Sequence, residues 1–258
     1  MAGTKRQSIV IQERDRVLLR VLADLRVMDR RQAQIVAGFG SVTRVNTRLL
    51  KLTRAGLLKR IFLGTIAGGR KAVYSLTAEG AAVAGDPEAA VKSAYRGSAL
   101  KHLLAIGDVY LAAKHGQTSP EGTTLTNWRT FRQKLNPTAP IIPDGYLELD
   151  CKGVLHPLFL EVDLGTETLA VFEGKVRSYL RLAVSGDFQR LSGRQRFRVL
   201  VAASGEKRLE NLRRTTAKHT QKIFRFTTLD AIKTSGFYEP IWLKPEGDKS
   251  EPLVRKGL

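Results

Sequence analysis

Residues 141–164 read IIPDGYLELDCKGVLHPLFLEVDL, and this stretch decides the fold of the C-terminal part of the chain. It contains two extended segments, near 141–150 and 156–164, whose branched and aromatic residues favour β-strands. Successive side chains of a strand point to opposite faces, so Glu161 and Asp163 project to one side and their apolar neighbours to the other. The pattern therefore predicts a strand with two carboxylates on one face.

Asp144, which follows Pro143, adds a third carboxylate on the neighbouring strand. If it points to the same side as Glu161 and Asp163, three hard oxygen ligands converge, which suits Mg²⁺ or Mn²⁺. Such an ion activates water and neutralises charge on a scissile phosphate. We therefore predict Asp144, Glu161 and Asp163 as the metal ligands of a catalytic site.

Lys175 lies among apolar residues at helical spacings of three and four, in a helix predicted for residues 167–184. A lysine beside the inner face of a helix has two interpretations. It reaches the carboxylates, where it orients the water or balances the phosphate, or it extends past the apolar side chains into solvent. Both stay open from the residues alone, and we include Lys175 with the predicted catalytic residues.

The elements around this stretch predict an α/β layer with a central mixed sheet, assigned to residues 98–235. Residues 81–97 are predicted to be a helical linker, and residues 236–258, rich in Lys, Pro, Glu and Gly, a mobile C-terminal tail. Helices are expected at 98–114, 167–184 and 206–218, and strands at 123–132, 141–150, 156–164, 197–203 and 223–228.

The first 80 residues show the element order of a winged helix-turn-helix. Three amphipathic helices are expected near 13–25, 29–37 and 41–56, with Asp29 and Ser41 as N-caps. Two extended runs, 57–63 and 71–76, then flank a glycine-containing turn and form the wing. We therefore predict an N-terminal DNA-binding domain.

The outer face of the third helix is polar and basic, as expected of a helix in the DNA major groove. The predicted base contacts are Arg44, Asn46, Thr47 and Arg48, with Lys51 on the same face. The predicted phosphate contacts are Arg60, Arg70 and Lys71 of the wing. The alternative is that these residues are solvated surface charges.

The composition favours nucleic acid as the partner. The chain has a net charge of +19, and residues 1–97 hold 18 basic against 7 acidic residues. Such a surface gains free energy by displacing counterions from phosphates. No apolar run approaches the roughly 20 residues that span a bilayer, and the N-terminus lacks the apolar stretch of a secretory signal, so a cytoplasmic location without membrane insertion is expected. A single cysteine excludes an internal disulfide.

The motifs of the C-terminal part resemble the signature of the replication-relaxation family. They are Pro143-Asp144, Glu161-Val162-Asp163, Gly165-Thr166-Glu167, and Lys175 with Tyr179. The resemblance implies a winged helix joined to a restriction-endonuclease-like domain of the PD-(D/E)xK type, similar to MOBC-type plasmid relaxases. It departs at Asp163, where the nuclease pattern has lysine, so activity requires Lys175 to serve from the adjacent helix.

The resemblance further implies nicking or processing of double-stranded DNA at an origin of replication or transfer, on a plasmid or other mobile element. Accessory proteins of plasmid replication or transfer are the further partners that it implies. The first hypothesis is a metal-dependent DNA endonuclease of the relaxase or nickase kind. The second is a non-catalytic DNA-binding regulator that retains a nuclease-like fold. A monomer and a homodimer both stay open, because no dimerisation coiled coil is present.

Overall fold

The structure, a computed structural model, describes residues 8–64, 68–91, 95, 97–116, 119–137 and 139–254 of the 258-residue chain. Parts of the predicted wing turn (65–67), linker (92–94 and 96) and C-terminal tail (255–258) lie outside the described residues. Contacts divide the chain into two units, Met1–Leu111 and Ala112–Leu258. The division falls inside a continuous helix, whereas the sequence placed the second domain's start at residue 98.

The first unit has three helices followed by a β-hairpin. Its elements are α1 (Glu13–Leu25), β1 (Met28–Asp29), α2 (Arg30–Val36), α3 (Val42–Arg54), β2 (Leu58–Gly64), β3 (Arg70–Leu76), α4 (Ala78–Ala84), a 3₁₀ turn (Pro87–Ala89) and α5 (Gly97–His115), which continues into the second unit. The strands form an antiparallel sheet in the order β1-β3-β2. These bounds lie within a few residues of those predicted.

Local chemistry explains where the helices of this unit begin and end. The Asp29 carboxylate accepts a hydrogen bond from the Gln32 amide at 2.8 Å, and the Ser41 hydroxyl accepts one from the Arg44 amide at 3.3 Å, so both residues act as N-caps. Helix α3 is followed by Gly56 at a φ of 80°, which glycine adopts without steric cost. The inner face of α3 is buried in the core.

The second unit contains the predicted mixed sheet. After the end of α5 come β4 (Thr123–Arg129), β5 (Gly145–Cys151), β6 (Val154–Asp163), α6 (Leu169–Val184), α7 (Asp187–Ser192), β7 (Arg198–Ala203), α8 (Glu206–Ala217), β8 (Phe224–Thr228) and α9 (Leu229–Thr234). The strand order is β4-β5-β6-β7-β8; the first two pairings are antiparallel and the last two parallel. The α/β class with a mixed sheet is confirmed.

One face of this sheet packs against α6 and α8 around a cluster of aromatic rings. The Phe159 ring of β6 lies 5.4 Å from the Tyr179 ring of α6 and 5.0 Å from that of Phe197, between centroids. Val199 and Val201 of β7 are buried on the same side. Because side chains alternate, Glu161 and Asp163 share this face with Phe159, and two carboxylates therefore point toward the helix layer.

The described part of the C-terminal segment is packed, which corrects the prediction of a mobile tail. Phe237, Tyr238 and Trp242 are buried, and Leu243 forms a bridge to Phe226 at the edge of the sheet. The Arg213 guanidinium donates to the carbonyls of residues 244 and 247. Composition misled here because a few large apolar side chains within a polar segment provide the anchoring. In the described part of the chain, no helix has the length and apolarity needed to cross a membrane.

The packing of this segment predicts a stability effect. Trp242 is 0% exposed, and its indole N–H donates to the Phe237 carbonyl at 2.9 Å. Trp242→Ala is expected to lower the free energy of unfolding by about 3–5 kcal/mol, measured by chemical denaturation, because it leaves a cavity. Val184→Ala, at a side chain 84% exposed, is the control and should change it by less than about 0.5 kcal/mol. Equal denaturation midpoints for the two variants would contradict the burial of Trp242 in the packed C-terminal segment.

Candidate functional site

Glu161 is a buried carboxylate near the end of β6, and only 2% of its surface is exposed. Both of its oxygens accept hydrogen bonds from helix α6. The Tyr179 hydroxyl donates to Oε1 at 2.6 Å, and the Lys175 ammonium donates to Oε2 at 3.0 Å. Residues four apart lie on one side of a helix, so α6 presents both donors to the same strand residue. Lys175 thus reaches the carboxylate, which is one of the two interpretations that the sequence left open.

The surroundings of Glu161 change its acidity. Burial, and then the nearby charge of Asp144, raise the pKa of Glu161, whereas the charge of Lys175 and the hydrogen bonds from Tyr179 and Lys175 lower it. The net result is a pKa of about 7. Burial lowers the pKa of Lys175, but the carboxylates of Glu161, Asp144 and Glu167 outweigh this and raise the pKa overall. Burial, and then the Glu161 charge, raise the pKa of the Tyr179 hydroxyl. Near neutral pH, Lys175 is therefore a cation beside a carboxylate poised to gain or lose a proton.

Asp144 lies just before β5, beside the part of β6 that carries Glu161. Its Oδ2 accepts a hydrogen bond from the Val162 amide at 2.7 Å, and its own amide donates to the Leu160 carbonyl at 3.1 Å. These bonds hold the residue just before β5 against the part of β6 that carries Glu161. The structure therefore brings Asp144, Glu161 and Lys175 together.

Asp163 has a different partner, which corrects the prediction that it converges with the other two carboxylates. Arg208 of α8 binds it in a bidentate pair, with Nε and Nη2 each 2.7 Å from an oxygen, and the Gly165 amide donates to Oδ1 at 2.7 Å. Bidentate arginine pairs are strong and directional. Among the described residues, no group of three His, Cys, Asp or Glu side chains is arranged to hold a metal ion.

Sequence reasoning did not assign roles to two further members of this cluster. Glu167, in the loop before α6, places its carboxylate 2.9 Å from the Lys175 ammonium. The Arg208 guanidinium also donates to the Glu167 carbonyl at 2.8 Å, so it holds this loop as well as Asp163. Glu167 stood in the quoted Gly165-Thr166-Glu167 motif, which was a usable signal. Arg208 lies 45 residues from Asp163 in a helix with several basic residues, and no local pattern distinguishes it.

Two of the three predicted ligands fit Mg²⁺ or Mn²⁺. Asp144 and Glu161 are adjacent hard-oxygen donors, and the charge of Asp144 raises the pKa of Glu161, so a divalent cation between them would relieve their repulsion. Mg²⁺ is commonly held by one or two carboxylates, with water and substrate phosphate as the other ligands. Asp163 does not fit, because Arg208 engages both of its oxygens.

The first unit has a basic surface without acidic residues nearby in sequence. Between Asp29 and Glu79 there are ten Lys and Arg residues and no Asp or Glu. Four predicted DNA contacts are exposed on the outer face of α3, namely Arg44, Asn46, Thr47 and Lys51. Arg60 and Arg70 are exposed on the hairpin β2–β3. Helix α3 and the hairpin therefore present cations and amide or hydroxyl groups to solvent.

Two other predicted DNA contacts have partners within the unit. The Arg48 guanidinium donates to the fully buried Asp15 carboxylate at 2.8 Å and to the Val10 carbonyl at 2.7 Å, and only 13% of its side chain is exposed. The prediction of Arg48 as a base contact is corrected, because this residue holds α3 to α1. Lys71 is exposed but forms an ion pair with Asp29.

The raised pKa of Glu161 predicts a pH dependence of stability. Its pKa rises from 4.5 to about 7 on folding, so the protonated acid favours the folded state. This stability is fully present below pH 4.5 and is lost as pH rises from 4.5 to about 7. The loss should be about 3 kcal/mol at 1.36 kcal/mol per pKa unit. We expect the parent protein, but not Glu161→Gln, to show this fall in urea unfolding across that range.

The quantity to measure is the difference in the free energy of unfolding between the parent protein and Glu161→Gln at each pH. Burial lowers the pKa of His115 and His156, which gives the opposite slope in parent and variant alike and cancels in the difference. Parallel pH profiles would show that folding does not raise the pKa of Glu161.

Comparison with known proteins identifies the family of the chain. The profile of the family described as Replication-relaxation matches residues 19–196, well over half of the chain. The match includes α3, the hairpin and the Asp144–Glu161–Lys175 cluster, whereas Arg208 lies beyond it. No curated protein and no solved structure shows significant similarity to the chain. The chain belongs to the replication-relaxation family.

Proposed function

We propose that this protein binds double-stranded DNA at an origin of replication or transfer and nicks it by metal-dependent hydrolysis of a phosphodiester. One observation carries the proposal: in a chain of net charge +19, Glu161 is buried beside Asp144 and bonded to Lys175. Burying a carboxylate is costly unless it is paired, and carboxylates oppose phosphate binding. An acidic pair beside a lysine is useful where a cation and a phosphate are both to be bound.

Binding is assigned to the first unit, which we interpret as a winged helix-turn-helix. Helix α3 lies in the major groove in this interpretation, where Arg44 bonds guanine, Asn46 bonds adenine and Thr47 contacts a thymine methyl. Lys51 on the same helix and the hairpin cations Arg60 and Arg70 bind phosphates. The lack of acidic residues between Asp29 and Glu79 supports this assignment, because no nearby carboxylate in the sequence repels the DNA backbone.

Chemistry is assigned to the second unit, which we interpret as a nuclease-like domain of the PD-(D/E)xK type. Asp144 and Glu161 would hold Mg²⁺ or Mn²⁺, which when bound activates water and offsets phosphate charge. Tyr179 and Lys175 fix the orientation of the Glu161 carboxylate through one hydrogen bond to each oxygen. Lys175 supplies from α6 the positive charge that the nuclease pattern places at the position of Asp163.

A non-catalytic DNA-binding regulator is the second candidate, and one observation favours it. The carboxylates of Asp163 and Glu167 are paired with Arg208 and Lys175, as in a cluster that serves stability alone. In this alternative the second unit retains the nuclease-like fold, and the cluster holds β6, α6 and α8 together. DNA binding by the first unit is common to both candidates, so binding alone does not separate them.

A nicking assay separates the two candidates. Supercoiled DNA of the native plasmid or element is incubated with the protein and Mg²⁺ or Mn²⁺, and relaxed circles are counted. We expect nicking by the parent and a loss of about 100-fold or more in Glu161→Gln, because a ligand should matter at least as much as the partners that orient it. Glu13→Gln, at a side chain 74% exposed in α1, is the control and should nick like the parent.

The same assay identifies the second candidate. If the parent binds this DNA tightly and leaves it supercoiled with either metal, the protein is a regulator. Nicking that survives in Glu161→Gln would instead place the chemistry outside the Asp144–Glu161–Lys175 cluster.

The different surroundings of two arginines on α3 give a test of DNA binding. Arg44→Gln should weaken duplex binding by about 1–3 kcal/mol, measured by fluorescence anisotropy, because it removes a base contact. Arg48→Gln should instead lower the free energy of unfolding by about 3–5 kcal/mol, because it leaves Asp15 buried without its partner. Unchanged binding by Arg44→Gln would exclude this face of α3 from the DNA interface.

A further inference from the structure

Phe62 is an aromatic residue on the hairpin whose side chain has little cover. It lies in β2, and 52% of it is exposed. Its cross-strand partner is Ala72, and the next residue on the same face of β2 is Gly64. These two neighbours are too small to shield a phenyl ring. Among the described residues, about half of the Phe62 surface is therefore open to solvent.

One large neighbour of Phe62 on this face is Arg60, two residues earlier in β2. Its guanidinium carbon lies 5.2 Å from the centre of the Phe62 ring, within the range of a cation–π contact. Arg60 and Arg70 are exposed, and among the described residues neither pairs with a carboxylate. The hairpin thus combines an ordered aromatic ring with cations that are available to phosphate.

This combination fits a nucleic-acid strand whose bases are unpaired. Proteins bind such strands by stacking bases on aromatic side chains while basic residues contact the backbone. In an intact duplex each base is covered on both faces by its neighbours, so an exposed ring stacks on a base only where the helix is open. Charge complementarity favours a polyanion such as DNA as the partner of the hairpin, because residues 30–78 contain ten cations and no Asp or Glu.

We propose that Phe62, backed by Arg60, is a stacking platform for an unpaired DNA base, and that the hairpin gives the protein a preference for locally melted DNA over intact duplex. This inference rests on the proposed DNA-binding function and adds the state of the DNA that is recognised. Helix α3 contacts paired DNA, and the hairpin contacts a base exposed where the two strands separate.

The test compares two probes of the same mixed sequence, a full duplex and a duplex with a central unpaired bubble. We expect the full-length parent to bind the bubbled probe about tenfold more tightly, and Phe62→Ala to lose this preference while binding the full duplex like the parent. A 2-aminopurine base in the bubble should be quenched by the parent through stacking and not by Phe62→Ala. Melting temperatures show that the variant is folded.

Two matched variants separate stacking from apolar contact. Phe62→Leu keeps an apolar side chain without a π face and should behave like Phe62→Ala, whereas Phe62→Tyr should retain the preference. The proposal is overturned if Phe62→Leu retains the preference, if Phe62→Ala weakens binding to both probes equally, or if the parent does not discriminate between them. In each of these outcomes the parent protein still binds the full duplex. Failure to bind either probe would reject the DNA-binding function itself.

Discussion

The candidate site depends on one buried interaction, the bonds from Lys175 and Tyr179 of α6 to the Glu161 carboxylate of β6. A carboxylate in an aromatic core destabilises the fold unless both of its oxygens are satisfied, and α6 supplies a donor to each. The same bonds fix the rotation of α6 over the sheet, because the two donors must face β6 together. Packing of the Tyr179 ring against Phe159 then follows from that rotation.

A second ion pair, between Arg208 and Asp163, connects α8 to the same end of β6. Arg208 bonds to Asp163 two residues along β6 and to the carbonyl of Glu167, whose carboxylate binds Lys175. The strand end, the loop after it and the starts of two helices are thus joined by charge-assisted bonds. Truncation of one member leaves a buried charge without its partner, so the cluster is sensitive to substitution whether or not it is catalytic.

Much of this protein was predicted from local periodicity, whereas ion pairs between residues far apart in sequence were not predicted. The sequence gives the bounds of α3 and β6, and the shared face of Glu161 and Asp163, because these follow from spacings of a few residues. Arg48 looked like an exposed cation because its partner, Asp15, lies on another helix, 33 residues away. Arg208 was missed for the same reason. The role of a charged residue is ambiguous in sequence. Helical spacing shows on which side of the helix the residue lies, but not which other residue packs against that side.

The charges of the cluster also bear on what it binds. Four carboxylates, on Asp144, Glu161, Asp163 and Glu167, gather around the cations Lys175 and Arg208. Asp163 and Glu167 are bound directly by these cations, and Glu161 shares Lys175 with Glu167. Four carboxylates against two cations leave an excess of negative charge. Burial, and then the charge of Asp144, raise the pKa of Glu161, the most buried member, to about 7. A proton and a divalent cation are therefore alternative ways to offset the same excess, and in the proposed function they compete for Glu161.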